Sequence, residues 1–578
     1  MTAVARIVLL LIVLAAGAQA VLGADAAPQA NLNPVQAENR KQGTPGWLLP
    51  AANGRSIEGY AAAVSALPGD GVALHVSTVP AARYRVLVYR LGWYGGVGAR
   101  RIACLPGCST DEQGAPQTVP APDPNTGRLD AGWPVTDTLR VPGDAVSGYY
   151  LVEFTLTSGP KAGSAALTYL VVRPPASRVS NAVVQVPVNT WEAYNDWGGK
   201  SLYDDLSTNG RRANRVSFDR PYHWAPGPGG QPLEWEYPLV RFLERTGYDV
   251  SYQTDVDTDA NPASLLLHRL VITAGHGEYW TKTIRDAFQA ARDSGGNLAF
   301  MAANTGYWQV RYEDDDRTIV AYKSRYDPEP NPALKTAMFR ELVPPRYECE
   351  LLGIQSQGVG LNWPPSDYVV APGVASDPWM RGTGLQAGAV LRGIVSVESD
   401  TIPGNQTAAS SCGHKLTVFF HHETGSDKTG NADAVRYTAS SGARVFASGS
   451  HTFVWGLDDF AGNPDETHGL VSTGLQRFAR NAFDDLTRPA APTAVNASPT
   501  GAGVLVSLSM PRDPRVLRVV VTRRRIGTRR DVRVCSASGR THLFCRDSVR
   551  PGGYRYKAVA VDRWRSSFPV QTATVRVR

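Results

Sequence analysis

The chain has 578 residues, of which 43% are hydrophobic and 19% charged, and its formal net charge is +7. At about 150 residues per domain this length corresponds to about four units, and the composition excludes disorder, a collagen repeat and a coiled coil. The net charge is the difference between 59 basic and 52 acidic residues. Over the whole chain this excess is too dilute to predict a nucleic-acid partner.

The N-terminus has the pattern of a secretory signal peptide. A short basic start precedes an apolar run at residues 7–16, and small-x-small sites follow at 18–20 and 24–26; this order is typical of a signal that is removed on export. About 20 apolar residues are needed to cross a bilayer, so the run is too short for an anchor. We expect residues 1–26 to be cleaved, and the mature protein to be secreted or held at the cell surface without a membrane span.

The six cysteines form an even set, as is usual for disulfide-bonded proteins in an oxidising compartment. Six cysteines allow 15 pairings. Nearness in the sequence, and elimination for the last pair, favours the bridges Cys104–Cys108, Cys535–Cys545 and Cys349–Cys412. If all six are bridged, a thiol-dependent amidotransferase is excluded.

Short alternating runs separated by Gly and Pro predict an immunoglobulin-like β-sandwich over residues 50–175. The Pro- and Gly-rich residues 111–134 are expected to be an insertion within it.

From residue 178 onward, strand and helix patterns alternate. Buried-strand runs occur at 182–187, 249–252, 270–274, 297–303 and 443–450, and helical spacing occurs at 236–245, 281–292 and 470–483. This alternation predicts an α/β domain with a mostly parallel sheet over residues 178–487.

A Pro-rich linker begins at Arg488. The Pro-x-Ala-x-x-Ala opening after it and the strand Tyr554-Arg-Tyr-Lys-Ala-Val-Ala-Val-Asp resemble a fibronectin type III domain, which implies a third β unit over residues 490–578. Two interpretations stay open for the arginines at 523–525 and 529–530: contact with an anionic wall polymer, or a solvated charged face.

Polar residues follow two neighbouring strands of the predicted parallel sheet. His276 and Glu278 come after the run at 270–274, and on an extended backbone residues two apart point to the same side. Asn304 follows the next strand, and ligands of such sheets bind at the carboxyl ends of the strands. The alternatives are that Glu278 complements the dipole of the next helix and that Asn304 caps a turn.

An aromatic and Gly-rich segment containing Tyr194 and Tyr203 follows the first strand of the same sheet. We expect it to emerge at the same sheet edge. Because the chain has 23 tyrosines, a purely structural role for these two is the alternative.

Several linked strings resemble the N,N-dimethylformamidase large (beta) subunit family. They are Pro187-Val-Asn-Thr-Trp-Glu-Ala-Tyr-Asn-Asp-Trp-Gly-Gly-Lys-Ser-Leu-Tyr, Val216-Ser-Phe-Asp-Arg-Pro-Tyr, Gly275-His-Gly-Glu-Tyr-Trp and Ala303-Asn-Thr-Gly-Tyr-Trp. Tyr89-Arg-Leu-Gly-Trp-Tyr-Gly-Gly extends the resemblance in part into residues 50–175. It implies an amide hydrolase with a glutamine-amidotransferase-like α/β fold and a mononuclear iron, Fe³⁺, held by two tyrosines and one glutamate.

Carried over to this sequence, the resemblance implies Glu278, Tyr194 and Tyr203 as the metal ligands. The spacing between the two tyrosines is shorter here than in the family. Phenolate and carboxylate oxygens are hard donors that suit ferric iron.

The resemblance also implies that His276 and Asn304 lie in the catalytic pocket. His276 would accept the proton of an attacking water, and Asn304 would orient the amide carbonyl or its developing oxyanion. Lys323 is a candidate for stabilising the same charge, with a surface lysine as the alternative.

Two functions stay open at this point. The first is a secreted, metal-dependent hydrolase that cleaves C–N bonds other than peptide bonds in a small amide-like substrate. The second is a non-catalytic cell-surface or polysaccharide-binding protein that retains the amidase-like fold and contacts the cell wall through its β domains.

Overall fold

The computed structural model describes residues 32–51, 54–223, 232–356, 362–404, 412–423, 430–461, 467–501, 503–539 and 541–578. The expected signal peptide lies outside these residues. Within them the chain is built mostly from several β-sheets, with few helices, and has a multidomain-like organisation. None of the helices in these ranges combines the length and the apolar character needed to cross a membrane.

The α-helices of the described residues are Pro34–Asn39, Val188–Tyr194, Pro232–Trp235, Tyr237–Thr246, Asp255–Ala260, Lys282–Asp293, Cys349–Leu352 and Thr473–Leu486. Three of them, Tyr237–Thr246, Lys282–Asp293 and Thr473–Leu486, were expected from helical spacing. The residue types at their ends explain where two of these helices start or stop. Thr281 caps the start of the helix Lys282–Asp293 by accepting from the backbone N–H of Ile284. Gly247, with φ +80°, ends the helix Tyr237–Thr246 in the left-handed conformation that glycine adopts at little cost.

Two sheets lie ahead of residue 175 and share a buried core. The first contains Glu58–Ala61, Gly71–Ser77 and Asp137–Arg140, and the second contains Ser65–Ala66, Ala165–Val172, Gly148–Leu156, Arg83–Leu91, Ala99–Leu105 and Glu112–Gln113. Val76 of the first sheet and Val86 and Val152 of the second belong to one buried cluster. Four of these strands, Gly71–Ser77, Arg83–Leu91, Gly148–Leu156 and Ala165–Val172, coincide with alternating runs of the sequence.

The central sheet has nine strands in the described residues. In spatial order they are Val250–Thr254, Ala182–Val186, Leu270–Gly275, Asn297–Ala302, Arg444–Ala447, Ala432–Thr438, Thr417–His422, Asn362–Val370 and Val390–Val397. The first five pair in parallel, as the βα pattern predicted. The last four pair antiparallel with their neighbours. No strand was expected at any of these four, so the sheet expected to be mostly parallel has as many antiparallel pairings as parallel ones.

Two smaller sheets complete the central region. One contains Arg215–Ser217, Thr318–Val320, Trp308–Glu313 and Tyr279–Thr281, and the other contains Gln355–Ser356 and Asp400–Thr401.

The C-terminal strands form two further sheets around a core of their own. They are Thr493–Thr500, Gly503–Ser509 and His542–Asp547 in one sheet, and Asp531–Ala537, Arg518–Arg525, Gly552–Val561, Val570–Gln571 and Val575–Val577 in the other.

A buried arginine joins the C-terminal sheets to the central sheet. Arg269, immediately before the strand Leu270–Gly275, pairs with Asp513 at 2.6 Å and with Asp562 at 2.6 Å. All three side chains are almost completely buried, so each charge depends on the others for compensation.

All three disulfides expected from the sequence are present: Cys104–Cys108, Cys349–Cys412 and Cys535–Cys545. No cysteine of the described residues is free, so a thiol nucleophile has no candidate in the chain.

Buried polar contacts hold the N-terminal sheets against the helices of the central region. Arg90 donates to both carboxylate oxygens of Glu244, at 2.8 and 3.0 Å. Glu236 accepts from the Tyr149 hydroxyl at 2.6 Å and from Trp191 Nε1 at 2.8 Å. Trp191 lies on the helix Val188–Tyr194, so these contacts fix the helix that carries the first candidate tyrosine.

Candidate metal centre

Three neighbouring parallel strands deliver the candidate residues to one edge of the central sheet. Ala182–Val186 is followed by the helix that ends at Tyr194, Leu270–Gly275 by His276 and Glu278, and Asn297–Ala302 by Asn304. Because the strands are adjacent and parallel, their carboxyl ends meet at one edge. The loop after residue 194 folds back over this edge and brings Tyr203 to the same place.

Glu278 is the point on which the two tyrosines converge. Its Oε2 accepts from the Tyr194 hydroxyl at 3.2 Å and from the Tyr203 hydroxyl at 2.8 Å, and its Oε1 lies 3.1 Å from the Tyr203 hydroxyl. The two phenol rings stack with centroids 4.2 Å apart. Three hard oxygen donors from distant parts of the chain therefore lie within hydrogen-bond distance of one another.

A third tyrosine and a lysine support Tyr203. The Tyr279 hydroxyl donates to the Tyr203 hydroxyl at 2.7 Å. The Lys323 ammonium lies 3.6 Å from the centroid of the Tyr203 ring and donates to the Leu202 carbonyl at 3.3 Å. The Lys323 ammonium is thus directed into the site and not toward solvent, as it would be in a surface lysine.

A second group of side chains adjoins the tyrosines through His276. His276 Nε2 is 3.4 Å from Glu278 Oε2 and 2.8 Å from Glu398 Oε2. Asn304 Nδ2 donates to Glu398 at 2.6 Å. His451 lies beside them, with its ring centroid 4.2 Å from that of His276.

Glu398, His451 and Tyr279 were not singled out from the sequence. His451 follows the strand Arg444–Ala447, the neighbour of Asn297–Ala302 in the parallel part of the sheet, so the strand-end rule that identified His276 would also have found it. Glu398 follows an antiparallel strand that the sequence did not reveal, and no sequence signal indicates it.

Burial governs the pKa values of the oxygen donors. Burial and the neighbouring Glu278 raise the pKa of the Tyr194 and Tyr203 hydroxyls well above their usual range. Burial also raises the pKa of the Glu278 carboxyl, as does Glu398, whereas His276 opposes the shift. Without added positive charge, this environment disfavours phenolates, and a bound cation would supply the missing compensation.

Burial acts in the opposite direction on the basic groups. It lowers the pKa of His276 to about 4 and that of Lys323 to about 8. His276 is therefore a neutral imidazole near pH 7.

Polar atoms without a partner line the site. His276 Nδ1, His451 Nδ1 and Asn304 Oδ1 are buried and have no hydrogen-bond partner among the described residues. Since buried polar atoms are nearly always hydrogen-bonded in folded proteins, these atoms are suited to a bound substrate or water.

Two of the site residues have a left-handed backbone. Asn304 has φ +49° and Lys323 has φ +52°, a conformation that costs about 1 kcal/mol or more for residues other than glycine. Such strain is concentrated at functional sites in proteins. Here the Lys323 ammonium lies over the Tyr203 ring of the tyrosine–glutamate cluster (Tyr194, Tyr203 and Glu278), and the Asn304 amide donates to Glu398.

The donors fit a hard cation. Two phenol oxygens and a carboxylate suit a ferric ion. The unpartnered polar atoms of His276, His451 and Asn304 beside them are free to form hydrogen bonds with a substrate. His276, Glu398 and His451 form an adjoining group whose candidate ligand atoms all lie within 4.8 Å of one another.

The model of a protein family described as N,N-dimethylformamidase beta subunit-like, C-terminal, matches residues 85–467. The chain belongs to this family. All the site residues named above lie within the matched range. Membership suggests an amide hydrolase, in agreement with the resemblance noted in the sequence.

The N,N-dimethylformamidase beta subunit of Alcaligenes sp is 31% identical over 119 residues, which are 19% of this chain and 16% of the relative. The match thus spans about a sixth of the relative's length.

Two solved structures illustrate the structural likenesses. A Fn3-like protein from Clostridium thermocellum is 19% identical over 16% of this chain and 92% of its own, with a TM-score of 0.13. The FMN-binding beta-glucuronidase from Facaelibacterium prausnitzii L2-6 is 8% identical over 91% of this chain and 74% of its own, with a TM-score of 0.20. At TM-scores this low, neither likeness informs the fold or the function.

Proposed function

We propose that this chain hydrolyses the C–N bond of a small, non-peptide amide, with a single iron held by Tyr194, Tyr203 and Glu278. The observation that carries the proposal is the convergence of both phenol hydroxyls on the Glu278 carboxylate, at 2.8–3.2 Å. When bound, ferric iron supplies Lewis acidity that polarises a carbonyl and lowers the pKa of a water. The Alcaligenes relative, by its name, acts on N,N-dimethylformamide, and we propose this class of substrate here.

The chain's own residues provide the proton transfer and the orientation. His276 Nε2 faces Glu398 Oε2 at 2.8 Å, so the carboxylate fixes the ring and leaves Nδ1 able to accept the proton of an attacking water. Nδ1 is buried without a partner in the described part of the chain. The proton then passes to the amine nitrogen as the C–N bond breaks.

Asn304 and Lys323 would act on the carbonyl oxygen of the substrate. The Asn304 amide is anchored by its donation to Glu398 at 2.6 Å, and the Lys323 ammonium is held by the Leu202 carbonyl. Both groups are therefore positioned before the substrate binds, which is how fixed donors stabilise an oxyanion most effectively. Trp235, which is itself buried, stacks on His451 with centroids 5.1 Å apart and covers this side of the site.

The proposal is tested with the full chain loaded with Fe³⁺. We expect one iron per chain, a visible phenolate-to-iron absorption band, and release of dimethylamine from N,N-dimethylformamide. Glu278→Gln should lose the iron, the band and the amine release, whereas Glu112→Gln, at an exposed residue of the N-terminal sheets, should keep all three. A Glu278→Gln variant with full iron content would contradict the ligand assignment. A wild-type chain that binds iron but releases no amine would contradict the proposed reaction.

We also propose that the molecule consists of an N-terminal immunoglobulin-like sandwich, a central glutamine-amidotransferase-like α/β domain and a C-terminal fibronectin III-like domain, and that it is exported. Three disulfides among the described residues support export. Intact-mass measurement of the protein from its native host should give a chain that begins near residue 21 or 27, and a mass that includes the first 20 residues would contradict export by cleavage.

A further inference from the structure

The positive charge of the chain is concentrated in its C-terminal part. Residues 490–578 contain 17 Arg and one Lys but only four Asp and no Glu. The totals for the whole chain are 59 basic and 52 acidic residues, so removing this part leaves 41 basic and 48 acidic residues. The C-terminal sheets are therefore strongly cationic on a chain that is otherwise slightly anionic.

Four of these arginines line one cleft of the C-terminal sheets. The cleft has a volume of about 460 Å³ and lies between the turn after the strand Arg518–Arg525 and the loop after His542–Asp547. Its lining includes Arg523, Arg525, Arg530 and Arg550, with the hydroxyls of Thr528 and Ser548 beside them.

Within the cleft, positive charge is only partly compensated. Arg523 pairs with Asp547, and Arg525 makes one long contact, 3.5 Å, with the Pro551 carbonyl. The guanidinium groups of Arg530 and Arg550 are exposed, and among the described residues neither has an ion-pair or hydrogen-bond partner. Three forked donors thus remain free to bind an anion, and guanidinium groups match carboxylate oxygens in pairs.

The outer face of the same sheet, opposite the face that carries Arg523 and Arg525, is also cationic. Arg524 lies directly opposite Arg555 in the ladder between Arg518–Arg525 and Gly552–Val561. Like charges directly opposite each other on one face of a sheet destabilise it, and Asp531 offsets this by pairing with Arg524 at 2.6 Å. The pairing of Arg524 with Arg555 therefore adds little to the stability of the fold, whereas the two positive charges can both attract a polyanionic partner.

We propose that this cleft binds the carboxylate groups of an acidic polysaccharide, with the outer face contacting further units of the same polymer. The volume of the cleft falls within the range of small-ligand sites, roughly 300–1,000 Å³. It therefore suits a single acidic sugar unit better than the backbone of a nucleic-acid duplex. Tyr554 is the aromatic residue of its lining, and the ring is buried, with the hydroxyl bound to the Arg550 carbonyl. Binding of single-stranded nucleic acid uses exposed aromatic rings on which bases stack, and the described lining residues of this cleft offer no exposed ring.

The disulfide Cys535–Cys545 joins the two C-terminal sheets. It indicates an oxidising environment, which agrees with the proposed export. The site is separate from the tyrosine–glutamate cluster, so it does not depend on the proposed hydrolysis.

The experiment compares two triple variants of the full chain. The first is Arg525→Gln, Arg530→Gln and Arg550→Gln in the cleft. The matched control removes the same charge at three exposed arginines outside the C-terminal sheets: Arg40→Gln, Arg83→Gln and Arg140→Gln. Calorimetry at about 50 mM salt measures binding to polygalacturonate, to uncharged dextran and to duplex DNA of the same total charge.

We expect the wild-type chain and the control to bind polygalacturonate, with an affinity that falls as salt is raised, and not to bind dextran. The cleft variant should lose about tenfold or more in affinity, since it lacks three of the four arginines. Equal affinities of the cleft variant and the control would overturn the site, and a wild-type chain that does not bind polygalacturonate would overturn the ligand class. Tighter binding of duplex DNA at equal charge would assign the surface to nucleic acid and overturn the polysaccharide proposal.

Discussion

Replacement of Tyr203 by Phe separates metal ligation from the packing of the site. The variant keeps the ring, its stacking on Tyr194 and its contact with Lys323, and it removes only the hydroxyl. That hydroxyl donates to the buried Glu278 carboxylate at 2.8 Å and accepts from Tyr279 at 2.7 Å. The charge-assisted bond is worth about 1.5–3 kcal/mol, and the orphaned Tyr279 hydroxyl costs about 1–3 kcal/mol, so we expect the metal-free variant to lose about 2.5–6 kcal/mol of stability.

Tyr279→Phe is the matched control. It also removes one hydroxyl from the Tyr203–Tyr279 hydrogen bond, but it leaves both candidate phenol ligands and Glu278 in place. We expect it to cost about 1 kcal/mol, and to keep the iron with a shifted absorption band because the Tyr203 oxygen loses a donor.

The assay measures iron per chain after dialysis, the visible spectrum and urea unfolding, with circular dichroism to establish that each variant is folded. Tyr203→Phe should hold less than about a tenth of the wild-type iron, because it lacks one of the three protein oxygen donors. Equal iron contents and spectra in the two variants would refute the assignment of Tyr203 as a ligand.

The remaining predictions concern Lys323, Arg269 and Glu153. Lys323→Met should raise the affinity for iron several-fold, because a nearby positive charge is removed, and lower amine release about tenfold; unchanged affinity in an iron titration would contradict this. Arg269→Met leaves Asp513 and Asp562 buried without compensation, so urea unfolding should show a loss of about 3–5 kcal/mol, and a loss below about 1 kcal/mol would be inconsistent with it. Burial raises the pKa of Glu153 to about 8, against its ordinary value of 4.5, so the folded state holds a proton that the unfolded chain releases, and stability should fall as pH rises from about 4.5 to about 8. Glu153→Gln should remove that slope and exceed the wild type by roughly 3 kcal/mol at pH 7, whereas parallel stability–pH curves of the two proteins would contradict the shift.

Much of the site could be predicted because two rules act locally. Residues after a buried parallel strand emerge at one sheet edge, and this rule is sufficient to place His276, Glu278 and Asn304 together. The alternation of buried strands with helical spacing located five parallel strands and three helices to within a few residues. The disulfide pairing could also be predicted, since two pairs are close in the sequence and the third followed by elimination.

Other parts of the site depend on pairings that no local pattern specifies. Glu398 reaches His276 only because an antiparallel extension is added to the parallel sheet. The strand before it, Val390–Val397, shows no clear period, and it joins the sheet as an edge strand beside Asn362–Val370.

From the sequence alone, the chain is committed to alternating strands and helices, to six cysteines that can pair, to a cationic C-terminal part and to polar residues at the ends of buried strands. These features are local, because backbone periodicity and residue type determine them. Tertiary structure alone decided that the Tyr194 and Tyr203 hydroxyls meet Glu278, that Lys323 lies over a tyrosine ring, and that four arginines share one cleft. Such convergence depends on loop paths and on burial, where the desolvation of each polar group must be offset by partners that lie far away along the chain.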